Sequence, residues 1–260
     1  MFDKDTYLKH IIDNEVVFKM RRLLDHIQSS LKNHSIIETD FFDPYERRIA
    51  ESILNRFQDI SYKFDGGLEE SERKCIVIYP EYISEQEIPS VVAYLRVEGI
   101  LDNLSHKDYL GAVLGLGITR DKIGDILLYD DFTLIIVKKE IKDYIMMNFE
   151  KAGNQNIRIS EIKGDELQYP ELSFIEVSKF VSSLRLDVYL SAAYNISRSE
   201  SRALIKSENV KVNWGKTSKA DYTLEAGDVI SVRGKGRTVL HEIGAISKKG
   251  RLNLKIRKLV

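Results

Sequence analysis

The 260-residue chain holds a single cysteine and a single tryptophan, and no apolar run in it approaches the roughly 18 residues that a membrane span needs. Cys75 therefore has no partner for an internal disulfide. Set in the apolar stretch Cys75-Ile76-Val77-Ile78-Tyr79, it reads as a small buried hydrophobe in a reducing compartment. The opening MFDKDTYLKHII lacks the basic patch and apolar stretch of a secretory signal, so a cytoplasmic location is expected. Internal repeats and low-complexity tracts are also missing. Neither the glycine-rich turn of a methyltransferase cofactor site nor the signatures of a nucleotide-binding synthetase occur, and no cofactor, metal or small-molecule substrate is expected.

Net charge is nearly absent too, at −1, but this conceals a division. Residues 181–260 hold 16 Lys/Arg against 7 Asp/Glu, a surplus of +9, whereas residues 1–180 hold 23 against 33, a deficit of −10. Such asymmetry places a polyanion-binding face in the last third of the chain. The acidic remainder repels phosphate and limits non-specific contact. A hydrophobic content of 43% is enough for a substantial core, and the length suits two or three domains.

The period of the apolar residues divides the chain. From Asp5 to about Lys32 they recur at three-to-four spacing, which predicts a helix. Asp43-Pro44-Tyr45-Glu46 starts a second one, with the cap, the proline and the glutamate each in its useful position. After Ile60 the pattern becomes strand, strand, strand, helix, hairpin about Asp130-Asp131, helix ended by Gly153, and strand 157–162. We expect a helical N-terminal segment over 1–59 and an α+β domain of RRM-like architecture over 60–170. The aromatic signature with which RRM domains stack bases is missing from it. The block from His106 to Asp125 holds four glycines. Gly111 and Gly115 are expected to let a sheet or partner approach closely, and His106, Lys107, Arg120 and Lys122 are candidates for a second RNA or partner site.

Residues 181–260 are the most informative. Ser197 caps a helix with Glu200 in position to complete a capping box. Arg198, Arg202 and Lys206 then follow at i, i+4 and i+8 on one side. Like charges so placed repel, and an anion laid against them relieves the repulsion. Val210-Lys211-Val212-Asn213 and Val229 to Arg233 alternate as half-buried strands, and a basic loop, Gly234-Lys235-Gly236-Arg237, follows.

Four segments together, R-L-D-x-x-L from Arg185, S-R-S-x-x-x-x-L-I from Ser197, V-x-V-N from Val210 and L-x-x-G-D-x-I-S-V-R from Leu224, resemble the S4 RNA-binding domain. The resemblance implies RNA contacts by Arg185, Arg198, Ser199, Arg202, Lys206, Lys211 and Asn213, with Lys216, Arg233, Lys235 and Arg237 beside them. The chain departs from the family where Glu208 replaces a usual glycine at the helix-to-strand corner, and Asn209 is expected to take the left-handed turn there. The block H-K-D-Y-L-G-A-x-x-G-x-G-I-x-R-x-x-I-G-D-I, from His106 to Ile126, together with Phe42-Asp43-Pro44, is similar to the YlmH family along essentially the whole chain. That resemblance implies an α+β protein in three parts, a non-catalytic factor that binds rRNA of the large ribosomal subunit and peptidyl-tRNA in rescue of stalled translation. Two alternatives stand beside it: an RNA-modifying enzyme, because Arg185-Leu186-Asp187 echoes the catalytic motif of pseudouridine synthases, and an adaptor for cell division. The RNA reading requires the basic groups to share one surface without being consumed by the chain's own carboxylates.

Overall fold

A computed structural model describes residues 2–99, 104–164, 167–171 and 173–259. The chain forms two units, 1–170 and 171–260. In the first, α1 (Asp5–Leu8) and α2 (Asn14–Asn33) replace the single helix expected over 5–32. Asp13 interrupts it: its side chain accepts from the Glu15 N–H and starts α2, leaving Ile12 95% exposed. β1 (Ile37–Phe42) leads to α3 (Pro44–Leu54), whose first turn carries the full Asp43–Glu46 capping box that the sequence predicted. β2 (Ile60–Asp65) and β3 (Lys74–Pro80) follow.

These two strands do not join the RRM-like sheet. They pair with β1 in a separate three-stranded sheet of order β1-β3-β2, so the break expected at residue 59 falls inside a sheet. The reason is alternation in β3. Ile76 and Ile78 pack on α2 and α3 with Met20, Leu24 and Ile53, while Cys75, Val77 and Tyr79 face the opposite way into another core.

The RRM-like part runs β4 (Val92–Gly99), α4 (His106–Gly115), β5 (Ile123–Leu128), β6 (Thr133–Lys138), α5 (Lys142–Asn148), β7 (Lys151–Ala152) and β8 (Gln155–Ile162). The sheet order is β5-β6-β4-β8-β7 with antiparallel neighbours, a β-α-β-β-α-β unit with a short added hairpin. Gly153, expected to stop a helix, instead turns this hairpin at φ +55°. Ala93, Leu95, Val97 and Ile135 pack under α4 and α5 against Tyr109, Val113 and Ile145. The opposite face, with Val92, Leu134 and Ile136, packs on Phe41, Val77 and Tyr79 of the N-terminal sheet. Four layers result, helix–sheet–sheet–helix.

The second unit comprises β9 (Phe174–Val181), α6 (Leu186–Tyr194), α7 (Arg198–Lys206), β10 (Val210–Val212), β11 (Gly215–Lys216), β12 (Val229–Val232), β13 (Gly236–Ile246) and β14 (Leu252–Leu259). Its sheet has the order β11-β10-β12-β13-β14-β9. Leu186, Tyr189, Leu190 and Ile205 from the helices meet Val210, Val212, Ile230 and Leu240 in the core. At the end of α7, Glu208 itself takes the left-handed conformation at φ +55°, and Asn209 does not. The Glu208 N–H donates to Ile205 O and the Asn209 N–H to Leu204 O, the paired bonds of a Schellman ending.

Candidate nucleic-acid interface

Asp187 enters the protein in the first turn of α6 and has no exposed surface. Three arginines close over it. Arg185 Nε donates to Oδ1 at 3.1 Å, and Arg198 Nη2 and Arg202 Nε donate to Oδ2 at 2.8 and 3.0 Å. Burial pushes the Asp187 carboxyl up, but the bonds from Arg185, Arg198 and Arg202 outweigh it and hold the group well below the usual carboxylate range. The i, i+4 repulsion between Arg198 and Arg202 is thus met from inside by one anion. Their outward faces remain open, with side chains 49% and 56% exposed. Three cations around one carboxylate leave a formal charge of +2.

The stripe expected from the sequence is therefore anchored rather than free. Ser199 and Lys206 lie exposed on α7, and the Ser199 hydroxyl is 2.8 Å from that of Ser197. Ser197 caps α7 as expected, accepting from the Glu200 N–H. The Glu200 carboxylate, however, turns to Lys235 at 3.2 Å. Lys235 is consequently tied to an acid.

The remaining cations occupy a different place. Val210 and Val212 point into the helix-covered core, so Lys211 between them projects from the other face of the sheet. Lys216 pairs directly with Lys211, and Arg237 lies in the same row across Ser231. The single basic surface expected from the sequence is thus divided between the start of the helices and the sheet face opposite them. Arg233 is exposed at the end of β12. Asn213 serves the fold: its amide donates to Asp228 Oδ1 and its carbonyl accepts from the Val229 N–H.

The His106–Asp125 block proves largely structural. Asp108 bonds the Ser105 N–H and hydroxyl at 2.8 and 2.7 Å, capping α4 rather than serving His106. Gly111 and Gly115 face open space, not a sheet. Arg120 spends its guanidinium on the Ile123 and Gly124 carbonyls, and burial lowers it to about 10. Lys122 is bound between Asp40 and Glu140. Asp125 accepts from the backbone N–H groups of Glu72 and Arg73 at 2.7 and 3.1 Å. Lys122 through Asp40, and Asp125 through the Glu72 and Arg73 N–H groups, hold the N-terminal sheet to the RRM-like sheet. His106 and Lys107 stay on the surface. The sheet face that an RRM offers to bases lies opposite its helices, and here the N-terminal sheet covers it.

Family models match three segments: the N-terminal part of YlmH over residues 15–83, an RNA-binding domain named for YlmH over 97–166, and the S4 domain over 184–230. The chain is 32% identical over 213 residues to "Ribosome-associated protein quality control protein P2" of Bacillus subtilis (strain 168), covering 81% of this chain and 82% of that protein. The chain belongs to the YlmH family. A solved YlmH structure, "Cell division protein ylmH from Streptococcus pneumoniae", shares the fold at a TM-score of 0.51 and 18% identity, over 60% of this chain and 97% of that one. A further relative, "Uncharacterized RNA pseudouridine synthase" of Aquifex aeolicus (strain VF5), is 40% identical over 52 residues only, 20% of this YlmH chain and 22% of that protein.

Sequence reasoning singled out the arginines as candidates and did not connect them to Asp187. Asp187 was visible as an acid in the first turn of a helix, following Arg185 and preceding Arg198 and Arg202. Only the packing of α7 on α6 brings all four together.

Proposed function

We propose that this YlmH-family chain is a non-catalytic, ribosome-associated RNA-binding factor whose Asp187-anchored arginines grip the phosphates of structured RNA. The requirement of one basic surface free of the chain's own carboxylates is not met as stated, and the observation that carries the reading is narrower: one buried carboxylate orients three half-exposed guanidinium groups and leaves a surplus of two positive charges facing outward. Arginines held from behind lose less side-chain entropy on meeting phosphate, and their planar forks suit phosphate oxygens. The name of the Bacillus subtilis relative supports a ribosome-associated role in quality control, and the family resemblance implies rRNA of the large subunit as the target, with peptidyl-tRNA beside it, in rescue of stalled translation. Co-sedimentation of the chain with large subunits, with and without Arg198→Ala/Arg202→Ala, tests this. Loss of the pelleted fraction in the double variant is the expected result.

The partial match to a pseudouridine synthase favours a second reading, RNA modification. That chemistry needs a carboxylate open to a base. Asp187, the acid of the echoed motif, is fully buried and already holds three guanidinium groups. Absence of tritium release from labelled uridine in RNA is the outcome that agrees with binding alone.

A further inference from the structure

A strand at the edge of a sheet offers unpaired N–H and C=O groups to a further strand, and folds blunt such edges by making them short, bulged, proline-bearing or covered. The sheet of the second unit treats its two edges differently. β11, at one end, is two residues long. β9, at the other, runs Phe174–Val181, pairs with β14 at eight consecutive positions without a shift, and contains no proline. Among the described residues its backbone bonds to nothing but β14. Its most exposed large side chains are apolar: Phe174, Ile175 and Phe180 are 45%, 57% and 57% exposed. Its two charges are already engaged, Glu176 by Arg257 Nε at 3.2 Å and Lys179 by Asn195 Oδ1 at 3.0 Å. Such an edge has room for one more strand.

The residues of β9 indicate which strand. Val177 and Val181 point into the core, so Ile175 and Lys179 share the helix-covered side, while Phe174, Glu176, Ser178 and Phe180 share the other. Opposed residues in a sheet lie on the same face, so a second copy joins antiparallel only with its two-fold axis on a residue. An axis at Glu176 sets two carboxylates against each other. One at Ser178 sets Glu176 against Phe180 and Val177 against Lys179. An axis at Val177 places Phe174 of each copy opposite Phe180 of the other, Ile175 opposite the aliphatic stem of Lys179, and Glu176 opposite Ser178. Cross-strand aromatic pairs of this kind are favourable. We propose that β9 pairs with β9 of a second copy of this chain about the axis at Val177, joining the two six-stranded sheets into one. α6 and α7 of both copies then stand on the same side of it, and with them both Asp187 clusters. The pairing does not depend on the RNA-binding reading.

Sedimentation equilibrium tests it, on the full chain treated with nuclease so that no RNA bridges two copies. The concentration runs from about 1 to about 300 µM, the range that suits a small interface. The mean mass is expected to climb from that of one chain toward that of two. Phe180→Lys, at an exposed position, keeps its melting temperature at low concentration and weakens association about tenfold, since each substitution acts twice across the axis. Phe174→Glu/Phe180→Lys restores association and makes it salt-sensitive, because these positions lie at opposite ends of β9 and meet only between copies. A single-chain mass over the whole range, parent-like association of Phe180→Lys, or no recovery in the double variant would each overturn the proposal. In the first case the edge belongs to a strand of another protein.

Discussion

Arg198 Nη2 lies 2.8 Å from Oδ2 of Asp187, a carboxylate with no exposed surface, and Arg202 Nε shares the same oxygen at 3.0 Å. One buried charge therefore sets the direction of two outward-facing cations on successive turns of α7. The same bonds that orient the arginines also tie α7 to α6, so binding geometry and stability are coupled at this carboxylate.

Removing that charge tests the coupling. Asp187→Asn is expected to lower stability by about 1–3 kcal/mol at pH 7, less than for a fully buried pair because the guanidinium groups are half in water. The folded-state carboxyl is depressed below its unfolded value near 3.9, so its contribution is complete above that pH and fades as pH falls further. Urea unfolding at pH 7 and pH 3 should accordingly show the difference between Asp187→Asn and the parent shrinking in acid.

Glu208 supplies a gain rather than a loss. It occupies a left-handed position at φ +55° that a glycine takes without penalty. Glu208→Gly is expected to raise stability by about 0.5–1 kcal/mol in thermal or urea unfolding.

Arg120 separates structure from binding. Its guanidinium donates to two carbonyls inside the first unit, and although Ile123 O keeps the bond from Arg73 Nε, Gly124 O loses the guanidinium's bond, so Arg120→Ala should cost about 1–3 kcal/mol. Affinity for structured RNA, measured where the variant remains folded, should not change.

Gly124 has a packing reason. A Cβ there would meet the Phe41 ring at 2.8 Å and Ile136 O at 3.1 Å. Gly124→Ala should destabilise by about 1–3 kcal/mol, again without altering RNA affinity.

What could be read from the sequence followed local chemistry. Asp43, Pro44 and Glu46 announce α3 because a capping box is complete within four residues. The alternation of Val210-Lys211-Val212 announces β10 for the same kind of reason. β1 was not legible: Glu38, Thr39 and Asp40 interrupt its apolar residues, and its partner β3 lies more than thirty residues on. Without β1, strands β2 and β3 pass for members of the RRM-like sheet. In the candidate interface the arginines showed in helical spacing, but their shared acid did not, since Asp187 is 11 and 15 residues away across a helix junction. The division of cations between two faces was in principle legible, because Lys211 sits between two core valines.

The central claim is tested most directly by the salt dependence of binding to a folded RNA hairpin, compared among the parent, Arg198→Ala and Arg202→Ala. Each variant is expected to bind about 1–3 kcal/mol more weakly and to lose about one unit of the slope of log affinity against log salt. Parent-like affinity and slope in both variants would contradict the account.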